Sequence, residues 1–185
     1  NVASINKNNL YGLPGSSETA ALIIIPIPWE VTVSYREGTS KGPGRVLEAS
    51  HQIDLYDSLH PELWKKGVSM DQFPLELEKR GQELRKLVKR NSLQYEGKID
   101  ERVLKLVNQG SEQLNDWVKA RSLSWLKKGK LVGTLGGDHS TCFGLISAVS
   151  EICKEFSILQ IDAHADLRST YQGFKYSHAS IMHNA

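Results

Sequence analysis

Residues 162–166 read Asp162-Ala163-His164-Ala165-Asp166, three metal-capable side chains separated by two alanines. In an extended segment the side chains at i, i+2 and i+4 share one face. Asp162, His164 and Asp166 are therefore expected to converge on a point that the alanines do not crowd. A second cluster, Gly136-Gly137-Asp138-His139-Ser140, repeats the pairing of acid and imidazole. Its glycines permit a tight turn and a close backbone approach. Carboxylates and imidazoles gathered in this way are the donors of a divalent-cation site. Either cluster alone also suits a polar loop or a helix cap, but two with the same layout favour a metal.

Each cluster needs an element to position it, and each follows an apolar stretch. Phe156–Ile161 and Lys130–Leu135 both read as strands, which puts the acids and imidazoles at strand carboxyl ends, where open α/β sheets hold ligands. Ser140 or Thr141 is expected to cap a helix running through Cys153. Upstream, the Ile-rich stretch Ala21–Ile27 reads as a buried strand. Gly42-Pro43-Gly44 opens a short helix through Ser50, and His51–Tyr56 alternates weakly like an edge strand.

Leu77, Leu84, Leu87 and Val88 mark one face of a helix over residues 75–90. Ile99, Val103, Leu106, Val107, Leu114, Trp117, Val118 and Trp125 mark a longer one. Gly110 sits inside that stripe at a cost of about 1 kcal/mol against Ala. Arg85, Lys86, Lys89 and Arg90 read as a solvated helix face, and residues 1–19 as a polar N-terminal arm. Strands joined through helices imply an α/β domain with a mainly parallel sheet covered on both faces.

The 185 residues fit one domain with a real core. A net charge of +2 gives no reason to expect nucleic acid or an anionic membrane as partner. The longest apolar run, Ala20–Trp29, holds two prolines and is too short to span a bilayer. No basic-then-apolar leader opens the sequence, so a cytoplasmic location is the default expectation. Cys142 and Cys153, eleven residues apart on one expected helix, cannot readily bridge and are expected to be buried thiols.

Taken together and in this order, Gly136-Gly137-Asp138-His139-Ser140, Asp162-Ala163-His164-Ala165-Asp166 and Ser177-His178-Ala179-Ser180 resemble the signature set of the ureohydrolase (arginase and agmatinase) family. The run from Asp162 to Ser180 looks most like agmatinases. Pro26-Ile27-Pro28-Trp29, Ser34-Tyr35-Arg36-Glu37-Gly38 and Gly42-Pro43 are similar to that family's opening segment. The resemblance covers residues 20–57 and 130–185, and residues 58–129 form a divergent helical segment.

The resemblance implies a three-layer α/β/α fold and hydrolysis of a guanidino compound, most simply agmatine to putrescine and urea, by a hydroxide shared between two Mn²⁺ ions. Arginine, guanidinobutyrate and formimidoylglutamate are the neighbouring substrates. It further implies that His139 and Asp166 bind one ion, that His164 binds the other, and that Asp162 bridges both. Carboxylate and imidazole without thiolate suit Mn²⁺, although Zn²⁺, Fe²⁺ or Co²⁺ match the same donor types. His178, whose ordinary pKa is near neutral, is expected to protonate the leaving amine.

Arg168 and Tyr171 could touch substrate or a neighbouring subunit, or serve packing alone. Trp29 and Tyr35 could line the site mouth, with core packing the preferred role. His51, His60 and His183 have no motif context and are expected to be structural or on the surface. By the same resemblance the protein is a homo-oligomer, a trimer or hexamer. The family completes its site with an Asp-x-Asp motif, and only Ile181–Ala185 follow Ser180. The expectation is thus an incomplete, N-terminal part of a ureohydrolase domain, inactive by itself. The alternative is a non-catalytic relative that binds metal or serves as an oligomer partner.

Overall fold

The isoleucine-rich stretch forms β1 (Leu22–Ile27), the centre of a parallel sheet. On one side β1 pairs with β2 (Val68–Met70), on the other with β3 (Leu131–Gly136), giving the order β2-β1-β3. The computed structural model describes residues 6–94 and 98–185. Residues 1–5 of the expected arm and 95–97 of the helical segment lie outside the described residues.

Pro26 is out of keeping with a central strand, since it has no N–H to give a ladder. The register explains it. Ile24 O accepts from Asp71 N, so Ile24, and with it Pro26 two residues on, faces the β2 side. β2 ends opposite Ile24, so Pro26 has no strand there to bond.

Alternate residues of β1, Ile23, Ile25 and Ile27, are fully buried, each contributing about 1.5–3 kcal/mol of burial free energy. They pack with Leu84 and Val88 of α2 (Leu75–Gln94) and with Val103, Val107, Leu114 and Val118 of α3 (Glu101–Leu126). Trp29 joins this core, as expected. Leu106, expected on the same stripe, is instead exposed. α3 starts where Asp100 accepts from Arg102 N, the usual N-cap arrangement. At Gly110 a Cβ would lie 2.4 Å from Leu84 Cδ1, so this glycine lets the Leu84 side chain of α2 pack directly against the α3 backbone.

The short helix α1 (Gly42–Ser50) carries Pro43 in its first turn and lies against β1 and β3. α4 (Phe143–Ile152) packs along α3, and α5 (Ile181–Asn184) ends the chain. The N-terminal arm is tied in by buried Asn9. Its Nδ2 donates to Leu13 O and Val68 O, and its Oδ1 accepts from Leu10 N and Met70 N. After β2, the Asp71 carboxylate receives two bonds of 2.5 Å from Arg121 and one of 2.8 Å from Trp125 Nε1.

The α/β class and the parallel sheet are as expected, while several elements differ. Phe156–Ile161 is not a strand. Among the described residues no strand lies beside it, and Leu159 (87%) and Ile161 (92%) are exposed, so it has neither ladder nor apolar cover. His51–Tyr56 is not an edge strand either. Local turns take its backbone donors, with Gln52 N bonding Ala49 O and Tyr56 N bonding Asp54 Oδ1. β2, three residues inside the divergent segment, carries too short a pattern to read in advance.

The basic face of α2 is not simply solvated. Arg85 bonds Glu37 and the carbonyls of Val31 and Val33, and Lys89 bonds Glu37. Both cysteines are free, but neither is fully buried as expected: Cys142 is half-buried and Cys153 exposed. Among the described residues no helix is long and apolar enough to cross a membrane.

Candidate metal centre

The site begins where β3 ends. Gly137 has φ 51°, and a Cβ there would lie 2.3 Å from Trp29 O and 2.8 Å from Ile27 O. Glycine therefore lets the β3 turn run against the end of β1, where Asp138 N bonds Trp29 O at 2.9 Å. Asp138 then caps a 3₁₀ turn, His139–Cys142, by accepting from Ser140 N at 3.0 Å and from Ser140 Oγ. The cap is thus Asp138, not Ser140 or Thr141. An acceptor one residue before the turn reaches the free N–H groups that a residue inside it cannot.

His139, first in that turn, brings its Nδ1 to 2.5 Å from Asp166 Oδ2 and 3.4 Å from Asp162 Oδ2. One ligating atom from each of His139, Asp162 and Asp166 lies within 4.8 Å of the others. Asp166 reaches this position through a left-handed backbone conformation, φ 50°, that Asp tolerates better than most residues. Its carbonyl accepts from Met182 N and His183 N at the start of α5, which anchors the turn.

The route to this convergence is not the expected one. Residues 162–166 bend rather than extend, so the alternation does not hold. Asp162 Oδ1 accepts from the backbone N–H of His164, and the His164 side chain is 82% exposed, 3.8 Å from Asp162 at its nearest nitrogen. Three of the four expected ligands are together, and His164 stands outside the group.

The Cys142 side chain and, after it, the Asp166 carboxylate raise the His139 pKa to about 9, against the opposing effect of burial. The backbone N–H of His164, then the His139 ring, hold Asp162 below the ordinary carboxylate range. One imidazole and two carboxylates with no thiolate form a hard-to-borderline donor set that fits a divalent ion such as Mn²⁺. A cation at this point would take the place of the His139 proton.

Beside the group lies a cavity of about 740 Å³, lined by Ser34, Tyr35, His164, Asp166, Arg168, Tyr171 and His178 among others. Asp166 and His178 thus face one space. The Tyr171 ring meets His178 edge-on at 5.4 Å, and the Arg168 guanidinium sits 5.1 Å over Tyr171. Below His178, buried Ser177 and Ser180 bond each other at 2.9 Å, and Ser180 Oγ bonds Lys175 O, which fixes the turn. Tyr35, expected mainly in the core, is 77% exposed on the cavity rim. Sequence reasoning missed Thr32, which contacts both Asp138 and His178. Its only signal is a lone hydroxyl in the Val31-Thr32-Val33 run. His51 is structural, its Nε2 3.1 Å from Asn9 O.

The chain is also similar to known proteins. The chain is 30% identical over 163 residues to N(1)-aminopropylagmatine ureohydrolase of Thermus thermophilus, covering 88% of this chain and 46% of that one. It is 26% identical over 168 residues to the agmatinase of Bacillus subtilis, covering 91% and 48%. The fold is similar to the crystal structure of agmatine ureohydrolase of Thermoplasma volcanium, with a TM-score of 0.63 at 22% identity, over 98% of this chain and 49% of that one. The chain spans about half the length of the curated relatives it matches. The arginase family model matches residues 20–185, which include Gly136–Ser140, Asp162–Asp166 and His178, and the chain belongs to the arginase family.

Proposed function

We propose that this chain supplies the metal-binding and proton-transfer residues of an amidinohydrolase that splits a guanidino amine of the agmatine type into urea and an amine. The observation that carries the reading is the meeting of His139, Asp162 and Asp166 at one point beside a cavity that also holds His178. These three residues, with His164 on the loop between Asp162 and Asp166, would hold divalent ions, Mn²⁺ being the preferred metal. A bound ion pair would supply Lewis acidity that brings a water's pKa toward neutrality.

The remaining chemistry belongs to the chain. The cavity gives a planar guanidinium room beside Asp166, and Tyr171 and Tyr35 offer it aromatic surface. The departing amine must gain a proton, and imidazole is the side chain most often used for such a transfer, which makes His178 the candidate donor. The turn locked by Ser177 and Ser180 keeps that ring beside the cavity.

In this reading the 185 residues by themselves do not catalyse. Two carboxylates neutralise only half the charge of two divalent ions. Exposed Leu159 and Ile161 leave apolar surface uncovered near the site. The active form is a homo-oligomer of the complete gene product. The test has two parts. Mn²⁺ titration of the 185-residue chain, followed by electron paramagnetic resonance, should show binding that Asp166→Ala removes. The complete gene product should release urea from agmatine in a chelator-sensitive way. Binding that ignores Asp166 would refute the site, and absent urea release would favour a non-catalytic relative.

A further inference from the structure

The cavity beside the ligand group is walled by two pieces of chain. Most of its lining comes from residues 164–179, and the rest is Ser34–Tyr35, at the tip of the loop that leaves β1. Where that tip stands therefore sets the width of the cavity. Tyr35 is exposed, and among the described residues no hydrogen bond holds Ser34 or Tyr35 themselves. The loop is fixed instead on either side of its tip, from outside the cavity.

Arg85 of α2 supplies the main tie. Its Nη1 donates to Val31 O at 3.2 Å and to Val33 O at 2.6 Å, and its Nε to Glu37 Oε1 at 2.8 Å. One guanidinium thus binds the chain before the tip and after it. Between the two, Arg36 bends the backbone through the left-handed region, φ 47°. A guanidinium is always charged and only donates, so residue type alone fixes the direction of these bonds. Lys89 Nζ donates to the other Glu37 oxygen at 2.7 Å. Glu30 closes the base of the loop, its Oε2 accepting from Gly38 N at 2.7 Å and Ser40 N at 3.2 Å. The helix behind Arg85 is a firm support. Leu84 and Val88 are buried in the core, and at Gly81 a Cβ would lie 2.9 Å from the Trp29 ring.

We propose that Arg85 is a positioning residue for substrate binding: it clamps the 31–37 loop to α2 and so sets Tyr35 on the cavity rim, where the phenol ring packs against the bound guanidino compound. A planar fork joining three acceptors is a task that lysine does not take over. The proposal rests on the reading of this cavity as the substrate site. It adds to that site a residue of α2 that does not line it.

Relaxation of ¹⁵N in the 185-residue chain reads the clamp without substrate or metal. The Ser34 and Tyr35 amides should show order parameters near the rigid value of about 0.85, and Arg85→Gln should lower them below about 0.6 while Leu84 and Val88 stay rigid. A disordered Tyr35 in wild type, or unchanged order in folded Arg85→Gln, overturns the proposal. Should Arg85→Gln not fold, Glu37→Ala decides by the same measurement, since this exposed change frees the far end of the loop from both Arg85 and Lys89. The complete gene product reads the consequence. Tyr35→Ala and Arg85→Gln should each raise KM for agmatine about 3–10-fold, more than they lower kcat, and the double variant should be no worse than the poorer single one. Fully additive losses would show that Arg85 acts other than through Tyr35 and overturn the proposal. Loosening of Tyr35 without urea release retires the proposed function and leaves the clamp. Urea release with an unmoved Tyr35 retires the positioning role alone.

Discussion

His139 Nδ1 and Asp166 Oδ2 stand 2.5 Å apart across 27 residues of chain. One is held by a capped 3₁₀ turn after β3, the other by a left-handed turn anchored on α5. Neither element depends on the other locally, so the contact belongs to the tertiary fold. It is closer than the 3.4 Å between His139 Nδ1 and Asp162 Oδ2 in the group proposed to hold the metal.

Removing either carboxylate of that group should weaken Mn²⁺ binding. Altering residues that merely support a ligand costs 10–100-fold in affinity, so Asp162→Ala and Asp166→Ala should each cost more than about 100-fold. Calorimetric titration of the 185-residue chain measures this, and wild-type affinity in both variants would refute the site.

His178→Ala should leave metal content intact and lower turnover of the complete gene product by about 10²–10⁴-fold. Metal analysis beside urea release separates the two effects. An unchanged rate would make His178 a packing residue against Tyr171.

Agmatine should be preferred to arginine. Arg168 lines the cavity, but its guanidinium stacks over Tyr171. The stretch Asp166–Tyr171 resembles agmatinases, and by that resemblance Leu167 and Arg168 depart from the small polar residues expected of arginases, which would hold an α-carboxylate. Competition between the two substrates in a urea-release assay decides it. A clear arginine preference would refute the substrate assignment and leave the reaction type in place.

Stability should fall in acid through Asp71. Burial alone would raise its pKa, but Arg121, Trp125 Nε1 and Gln72 N outweigh burial and hold it below the ordinary value. A depressed folded pKa gives stability that is present above the unfolded value, about 3.9, and lost as pH falls through the folded one. Arg121→Met leaves the carboxylate buried without its ion partner. It should cost about 2–3 kcal/mol at pH 7, less than a fully buried pair because the Arg121 side chain is 37% exposed. Urea denaturation from pH 2 to 7 reads both effects, and identical curves for the two proteins would refute the account.

Gly110→Ala should destabilise the fold. Helix propensity by itself favours Ala by about 1 kcal/mol. The added methyl would meet buried Leu84 at 2.4 Å, and overpacking of this kind costs about 1–3 kcal/mol. A raised melting temperature would show that α2 and α3 can separate freely here.

Much of this was legible along the chain because the signals are short-range. The isoleucine alternation marks β1, the apolar stripes mark α2 and α3, and two acid–imidazole clusters mark the site. Residue types and local periodicity sufficed for these, since each depends on neighbours a few positions away.

Tertiary structure decided the rest. Phe156–Ile161 has a strand's composition, yet a strand exists only where a second one lies beside it. The ligand group forms through bends that bring Asp162 and Asp166 to His139 and turn His164 outward, where strict alternation would have aligned all three residues of the loop. Gly110 reads as a cost until Leu84 is seen against it. Thr32 is unremarkable in sequence and meets Asp138 and His178 only because β1 and β3 end side by side. Local pattern sets which donors are available. Which donors meet depends on chain segments far apart in sequence, and the packing of the sheet and helices brings those segments together.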